Sequence, residues 1–312
     1  MRDASSELRP ILIAGPTASG KSALALAIAE KVGGVIVNAD SMQVYRDLRI
    51  LSARPTKDEE ARVPHALYGF VPAAEAYSAG RFARDAAAAI AFARSEGRRP
   101  VIVGGTGLYF KALLEGLSPV PRIGEAIRAH WRSEADRRGA ADLHRELVRR
   151  DAVMAARLAP TDTQRIVRAL EVIEETGRSL AEWQKVREPP ILNEADTVRL
   201  LVTLDRAELQ ARAGARFDRM MAEGALEEVR VIAGMGLDPA LPAMRAIGVR
   251  PLLASLEGEG SLDDAVELAK IETRQYIKRQ ETWFKRHMIS WKHESAQYME
   301  CNMPEIFAFI QG

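Results

Sequence analysis

The chain has one cysteine in 312 residues, Cys301, which excludes an internal disulfide framework and fits a reducing, cytoplasmic setting. No apolar run approaches the roughly 20 residues that a membrane span needs. Residues 1–10 are polar and charged, so no export-type leader is expected, nor a membrane partner. Formal net charge is only +1, so no global field announces a nucleic-acid partner, although a balanced total can conceal a basic face. Internal repeats and low-complexity tracts are also missing. What is present is ordinary globular material, 47% hydrophobic and 28% charged, long enough for one large domain with an insertion or for two smaller ones.

Along the chain, "RPILIAG" reads as a buried strand running into a glycine loop, and "SALALAIAEKVGG" as a helix stopped by a Gly pair. "VIVNAD" and "RPVIVGGTG" are further β-branched runs, separated by a helix that opens after Ser78 and closes at Gly97. Strand and helix alternate, which predicts an α/β fold with a parallel sheet whose ligands lie at the carboxyl ends of the strands. The loops at Gly15, Asp40 and Gly104 then share one edge. "GLSPVPRIG" looks like a connector, and the chain beyond it is helical in pattern until "TVRLLVTL" returns to a strand. The expected organisation is a P-loop core over 1–117, an all-helical insertion over 118–195, and a mostly helical second part of the core over 196–312. That second part includes a long basic helix from Ser261 to about His287.

"GPTASGKS", Gly15 to Ser22, matches G-x-x-x-x-G-K-[ST] with a strand before it and a helix after it. Backbone N–H groups of Gly15, Pro16, Thr17, Ala18, Ser19 and Gly20 would line a phosphate cradle, proline excepted. Lys21 adds a point charge, and the Ser22 hydroxyl can bind Mg²⁺. The motif reports a diphosphate and its metal, without naming a reaction. A nucleotide-hydrolysing machine would add an Asp at a second strand end and a residue to position water, but "PVIVGG" ends in glycine, and no N-K-x-D guanine reader occurs. The acidic residue on the proper edge is Asp40: a Mg²⁺ ligand, a general base, or a turn cap.

The blocks "GPTASGKS", "NADSMQVYRDL", "VGGTGLYFKALLEGL", "QRIVRALEV", "RFDRMMAEGALEEV", "MRAIGV" and "TRQYIKRQETWFKR", in this order from about residue 10 to about 290, closely resemble the bacterial tRNA dimethylallyltransferases. The resemblance implies transfer of a prenyl group from dimethylallyl diphosphate to N6 of adenosine 37, beside the anticodon of tRNAs reading U-initial codons. The P-loop then holds a prenyl diphosphate and Mg²⁺. It further implies a catalytic block led by Asp40, a base accepting the amine proton as bonding develops. Thr106 stands at a strand end, where its hydroxyl could reach the diphosphate or the amine, or merely cap a helix. Arg216 resembles the family's diphosphate-contacting arginine; Arg212 and Arg219 lie close on the same helix, so the choice rests on the motif.

For the tRNA, Asp40, Ser41, Met42 and Gln43 lie at the base-reading position, and Gln43 could pair with a purine edge or satisfy local backbone groups. Thr161 and Gln164 have capping-box spacing. The resemblance places Gln164, Arg165, Ile166, Val167 and Arg168 on the anticodon arm, with Arg245 and Gly248 as further matched positions. Where the family commonly has Tyr after that glycine, Val249 stands. On the basic helix Arg274, Lys278 and Arg279 read as phosphate contacts, while Tyr276, Trp283 and His287 follow helical spacing and read as core. The partners expected are the tRNA anticodon stem-loop and dimethylallyl diphosphate, taken by a monomer. The rivals are a prenyltransferase acting on free adenylate, a P-loop kinase, and a non-catalytic RNA-binding module.

Overall fold

The computed structural model describes residues 8–311. In chain order the first part of the core is β1 (Ile11–Ala14), α1 (Lys21–Val32), β2 (Gly34–Asn38), α2 (Lys57–Arg62), β3 (His65–Ala66), α3 (Ala79–Ser95), β4 (Arg99–Gly104) and α4 (Gly107–Glu115). The helical segment comes next: α5 (Glu125–Arg150), α6 (Ala152–Ala155), α7 (Thr163–Thr176) and α8 (Leu180–Trp183). The chain then returns through β5 (Val198–Thr203), α9 (Arg206–Ala222), α10 (Ala225–Gly234), α11 (Val249–Leu256), α12 (Leu262–His287), β6 (Lys292–Ser295) and α13 (Met299–Gln311).

The six strands form one sheet in the order β3-β2-β4-β1-β5-β6, with every pair parallel. Alternate side chains of a strand face opposite layers. Leu12, Val37, Ile102 and Leu201 pack in one cluster with residues of α3 and α4, whereas Ile11, Ile13, Ile36, Val101 and Leu200 pack in another with α1 and α13. Both faces are covered, so the central strands read as unbroken apolar runs.

Two compact units result: the core, from residues 1–114 and 191–312, and the helical unit Glu115–Pro190. The chain re-enters the core at residue 191, ahead of the 196 read from composition, because the N–H groups of Ile191 and Leu192 both donate to Leu113 O at 2.9 Å. Within the helical unit, Gly139 (φ 75°) breaks α5 into the two helices that its sequence implies. Trp131, Leu143, Leu147, Ile166 and Leu170 fill its core, and Trp131 Nε1 donates to Glu174 at 3.1 Å. The N-cap of α7 is Asp162, accepting from Arg165 N, in place of the capping box expected from Thr161; Gln164 is exposed.

Candidate active site

β1 ends in the phosphate loop, β2 in Asp40, and β4 in the Gly104–Thr106 turn, and the parallel register of these strands sets the three loops side by side. The loop contorts to present its amides: Ala18, although not glycine, takes φ 66°, and Gly20 φ 83°. Ser19 is fully buried beneath the loop, so its part in a phosphate cradle is its backbone. Lys21 Nζ donates to Pro16 O at 3.2 Å, folding back over the loop. Burial pushes the Lys21 ammonium down to about 8, with Asp40 opposing that shift and Arg216 adding to it, so these charges lie within mutual reach. Of the three candidate arginines on α9, Arg212 is exposed and paired with Glu208, Arg219 is exposed, and Arg216 is drawn into the site. Burial lowers the Arg216 pKa, and the Asp40 charge counters it.

Asp40 is held from both sides. The fully buried Asn38 accepts from Asp40 N (2.8 Å) and donates to Asp40 O (2.9 Å) and Leu67 O (3.0 Å). Asp40 Oδ1 in turn accepts from Met42 N at 2.9 Å, the Asx turn of the cap reading, while the residue also lines a cavity of about 230 Å³. That cavity is bounded by Thr17, Ser41, Met42, Arg216, Arg245, Tyr276 and Arg279, among others. Thr106 Oγ1 reaches across to the same loop, accepting from Ser41 N at 3.0 Å and donating to Ser41 Oγ at 3.3 Å.

Several sequence-based placements need correction. Gln43 Nε2 donates to Ser52 O (3.0 Å) and Ala53 O (2.8 Å), the local-backbone bonding weighed as the alternative to a base-edge contact. Ile166 is fully buried, and the partly buried Val167 packs on the same core. Arg165 is exposed and pairs with Asp162, whereas Arg168 pairs with Glu171, so the two cations are tied to different carboxylates. Gly248 starts α11 with φ 93° against Phe217 and Leu51, a turn position with no side chain to offer. Val249 is fully buried, so the position of the family's Tyr is a core position here.

Tyr276, Trp283 and His287 are not the buried face of α12. That face is Ala265, Ala269, Thr273, Ile277, Gln280 and Phe284. Tyr276 looks into the cavity beside Thr106 and Gln280, with Arg279 over its ring at 5.7 Å. Trp283 and the exposed His287 stack at 4.3 Å. Arg274 is half-buried, and Lys278 and Arg279 are exposed. Gln280, 5% exposed, accepts from Thr17 N at 2.9 Å and donates to Gly105 O at 3.0 Å. The sequence carried one sign of it: Thr273 and Gln280 are polar residues interrupting an otherwise apolar helical stripe.

For a divalent cation, Ser22 offers an exposed hydroxyl on the first turn of α1, bordering a separate cavity of about 80 Å³. Among the described residues no group of three or more His, Cys, Asp or Glu could hold a metal by itself. That donor set suits Mg²⁺ held by Ser22, water and the oxygens of a bound diphosphate, the usual manner of Mg²⁺ at phosphorylated ligands.

The IPP transferase family model matches residues 43–287, and a second, Isopentenyl transferase, matches 9–65. The tRNA dimethylallyltransferase of Parvibaculum lavamentivorans is 52% identical, over 97% of this chain and 96% of that protein; one from a Bradyrhizobium strain is 55% identical, over 90% and 92%. Among solved structures, the tRNA isopentenylpyrophosphate transferase of Bacillus halodurans superposes with a TM-score of 0.69 at 29% identity, covering 97% of each chain. A eukaryotic dimethylallyltransferase acting on tRNA gives 0.78 at 28% identity, covering 93% of this chain and 75% of the other. By sequence over nearly its whole length, and by fold, the chain belongs to the IPP transferase family.

Proposed function

We propose that the chain transfers a dimethylallyl group from dimethylallyl diphosphate to N6 of adenosine 37 in tRNAs reading U-initial codons, releasing diphosphate. The observation that carries this reading is a cavity at the phosphate-loop edge lined by Asp40 and Arg216, with the buried Lys21 of the phosphate loop within electrostatic reach of both. The allylic C–O bond breaks with its electron pair leaving on the diphosphate, and the N6 lone pair forms the new C–N bond. The loop amides, Lys21 and Arg216 hold the charge that grows on the leaving oxygens. The N6 lone pair is delocalised into the ring, so a fixed proton acceptor aids attack; Asp40, pinned by Asn38 and Met42 N, accepts the amine proton. Ser22, with the diphosphate, would hold Mg²⁺, which supplies further neutralisation of the leaving group. Arg245 and Arg279 at the cavity, with Arg274, Lys278 and the helical unit's Arg165, meet the phosphates of the anticodon stem-loop.

The acting species in this reading is a monomer. The cytoplasm is the expected place, and no described helix is long and apolar enough to cross a membrane. A free-adenylate acceptor would need neither the helical unit nor the cationic α12. The test is incubation with labelled dimethylallyl diphosphate and unmodified tRNA, repeated with AMP as acceptor and with ATP as donor. Label on tRNA is expected; prenylation of AMP alone, or phosphoryl transfer from ATP, would overturn the reading. Asp40→Ala is expected to abolish turnover while tRNA affinity stays within about threefold, as for a group acting only in the transition state.

A further inference from the structure

Gln280 stands between the two halves of the reaction. Its Oε1 takes the N–H of Thr17, in the phosphate loop after β1, and its Nε2 gives a hydrogen bond to Gly105 O, in the turn after β4. One turn earlier on α12, Tyr276 lies beside Gln280 and Thr106. Thr106 takes the N–H of Ser41, which adjoins Asp40. Hydrogen bonds through Gln280 and Thr106, joined by the Gly105–Thr106 peptide link, therefore connect the loop that would hold the leaving group to the loop that carries the proton acceptor. The fit is close: a Cβ on Gly105 would lie 2.3 Å from Gln280 Nε2, and one on Gly107 would lie 2.2 Å from the Trp283 ring, so the turn can meet α12 only as glycine.

We propose that Gln280 is a positioning residue: it locks the phosphate loop and the Asp40 loop in one register, fixing the separation between the leaving oxygen and the proton acceptor. This rests on the prenyl-transfer reading. An amide suits the task because it donates and accepts at once across a buried gap. Its acceptor end also ties down the Thr17 N–H, which sets the direction in which the rest of the loop presents its amides. Binding of tRNA, by contrast, falls to side chains that Gln280 does not touch.

The test uses the full chain with Gln280→Met, which keeps volume and removes both hydrogen bonds, and Gln280→Glu, which keeps the acceptor for Thr17. Single-turnover transfer is measured at saturating tRNA and dimethylallyl diphosphate, with tRNA affinity and thermal melting measured in parallel. The expected result is a transfer rate lowered roughly 10- to 100-fold, the scale of a sub-ångström to ångström misplacement, with tRNA affinity within about twofold. Gln280→Glu is expected to lie between the parent and Gln280→Met. A double-mutant cycle with Thr106→Ala reports coupling: if both residues act along one path, Thr106→Ala costs far less in the Gln280→Met background. Transfer within about twofold of the parent in a folded Gln280→Met protein would overturn the proposal. So would strictly additive effects, or a rate loss equal to the unfolded fraction. Asp40→Ala is run alongside: if it too transfers normally, the prenyl-transfer assignment of Asp40 has failed, whereas a dead Asp40→Ala beside a normal Gln280→Met sinks only the positioning role.

Discussion

At the scale of single residues, Lys21 gives the sharpest pH prediction. Burial holds its ammonium at about 8, so in the ligand-free fold the charged form is penalised below that pH, and the penalty is relieved as pH rises through it. A bound diphosphate reverses the preference by supplying negative charge, so binding above about pH 8 takes up a proton. The KM for dimethylallyl diphosphate is therefore expected to rise with pH above about 8, by up to tenfold per pH unit, and initial rates at several donor concentrations measure it. Lys21→Met should flatten that dependence and raise the donor KM at every pH; a change confined to tRNA binding would contradict it. The residues legible in the sequence were those whose role comes from local context. Lys21 closes a strand–loop–helix motif, and Asp40 and Thr106 end apolar runs. Asn38, Tyr276 and Gln280 were not legible as site residues, because what they do depends on which loops a distant helix packs against.

At the scale of elements, the strands buried on both faces announced themselves by unbroken β-branched runs, and the helices by their stops at Gly33 and Gly97. β6 did not: "KHES" is polar and is a strand only because it pairs with β5 at the sheet edge, as the two-residue β3 pairs with β2 at the other. α13 was likewise unread, yet Ile306 and Ile310 are 0% and 2% exposed against the sheet face that carries α1. Ile306→Ala should cost about 2–5 kcal/mol of stability, measured by urea unfolding. In α5, Glu146 is hydrogen-bonded by Arg149 and Arg150, which hold its carboxyl at about 2. Its folded value is depressed, so the stability it lends is present above the usual Glu range and lost as pH falls toward about 2. The pairing arginines are largely exposed, which makes the contribution small and salt-sensitive. Glu146→Gln should therefore lower the melting temperature slightly at pH 7 and leave it unchanged at pH 2.

For the whole molecule, a net charge of +1 means that attraction for tRNA comes from a local surface and not from the total field. Affinity for tRNA should fall steeply between about 50 and 200 mM salt despite the near-neutral total. A Lys278→Ala, Arg279→Ala variant should bind more weakly and with a shallower salt slope, measured by filter binding; an unchanged slope would remove these cations from the interface.

The sheet order β3-β2-β4-β1-β5-β6 has a further consequence, for the chain as it is being made. β1, third from one end, cannot close against β5 until the whole helical unit and the strand after it have been synthesised. Until then the nascent sheet ends at β1 with an open row of backbone donors and acceptors, while α13, which covers part of one face, is the last element to emerge. Such long-range closure folds slowly and exposes an edge prone to pairing with other chains. The molecule is thus most vulnerable to aggregation before its last elements are made, and a ribosome stalled between residues 191 and 261 would hold a core that has its catalytic loops but not α12, the helix that bridges them.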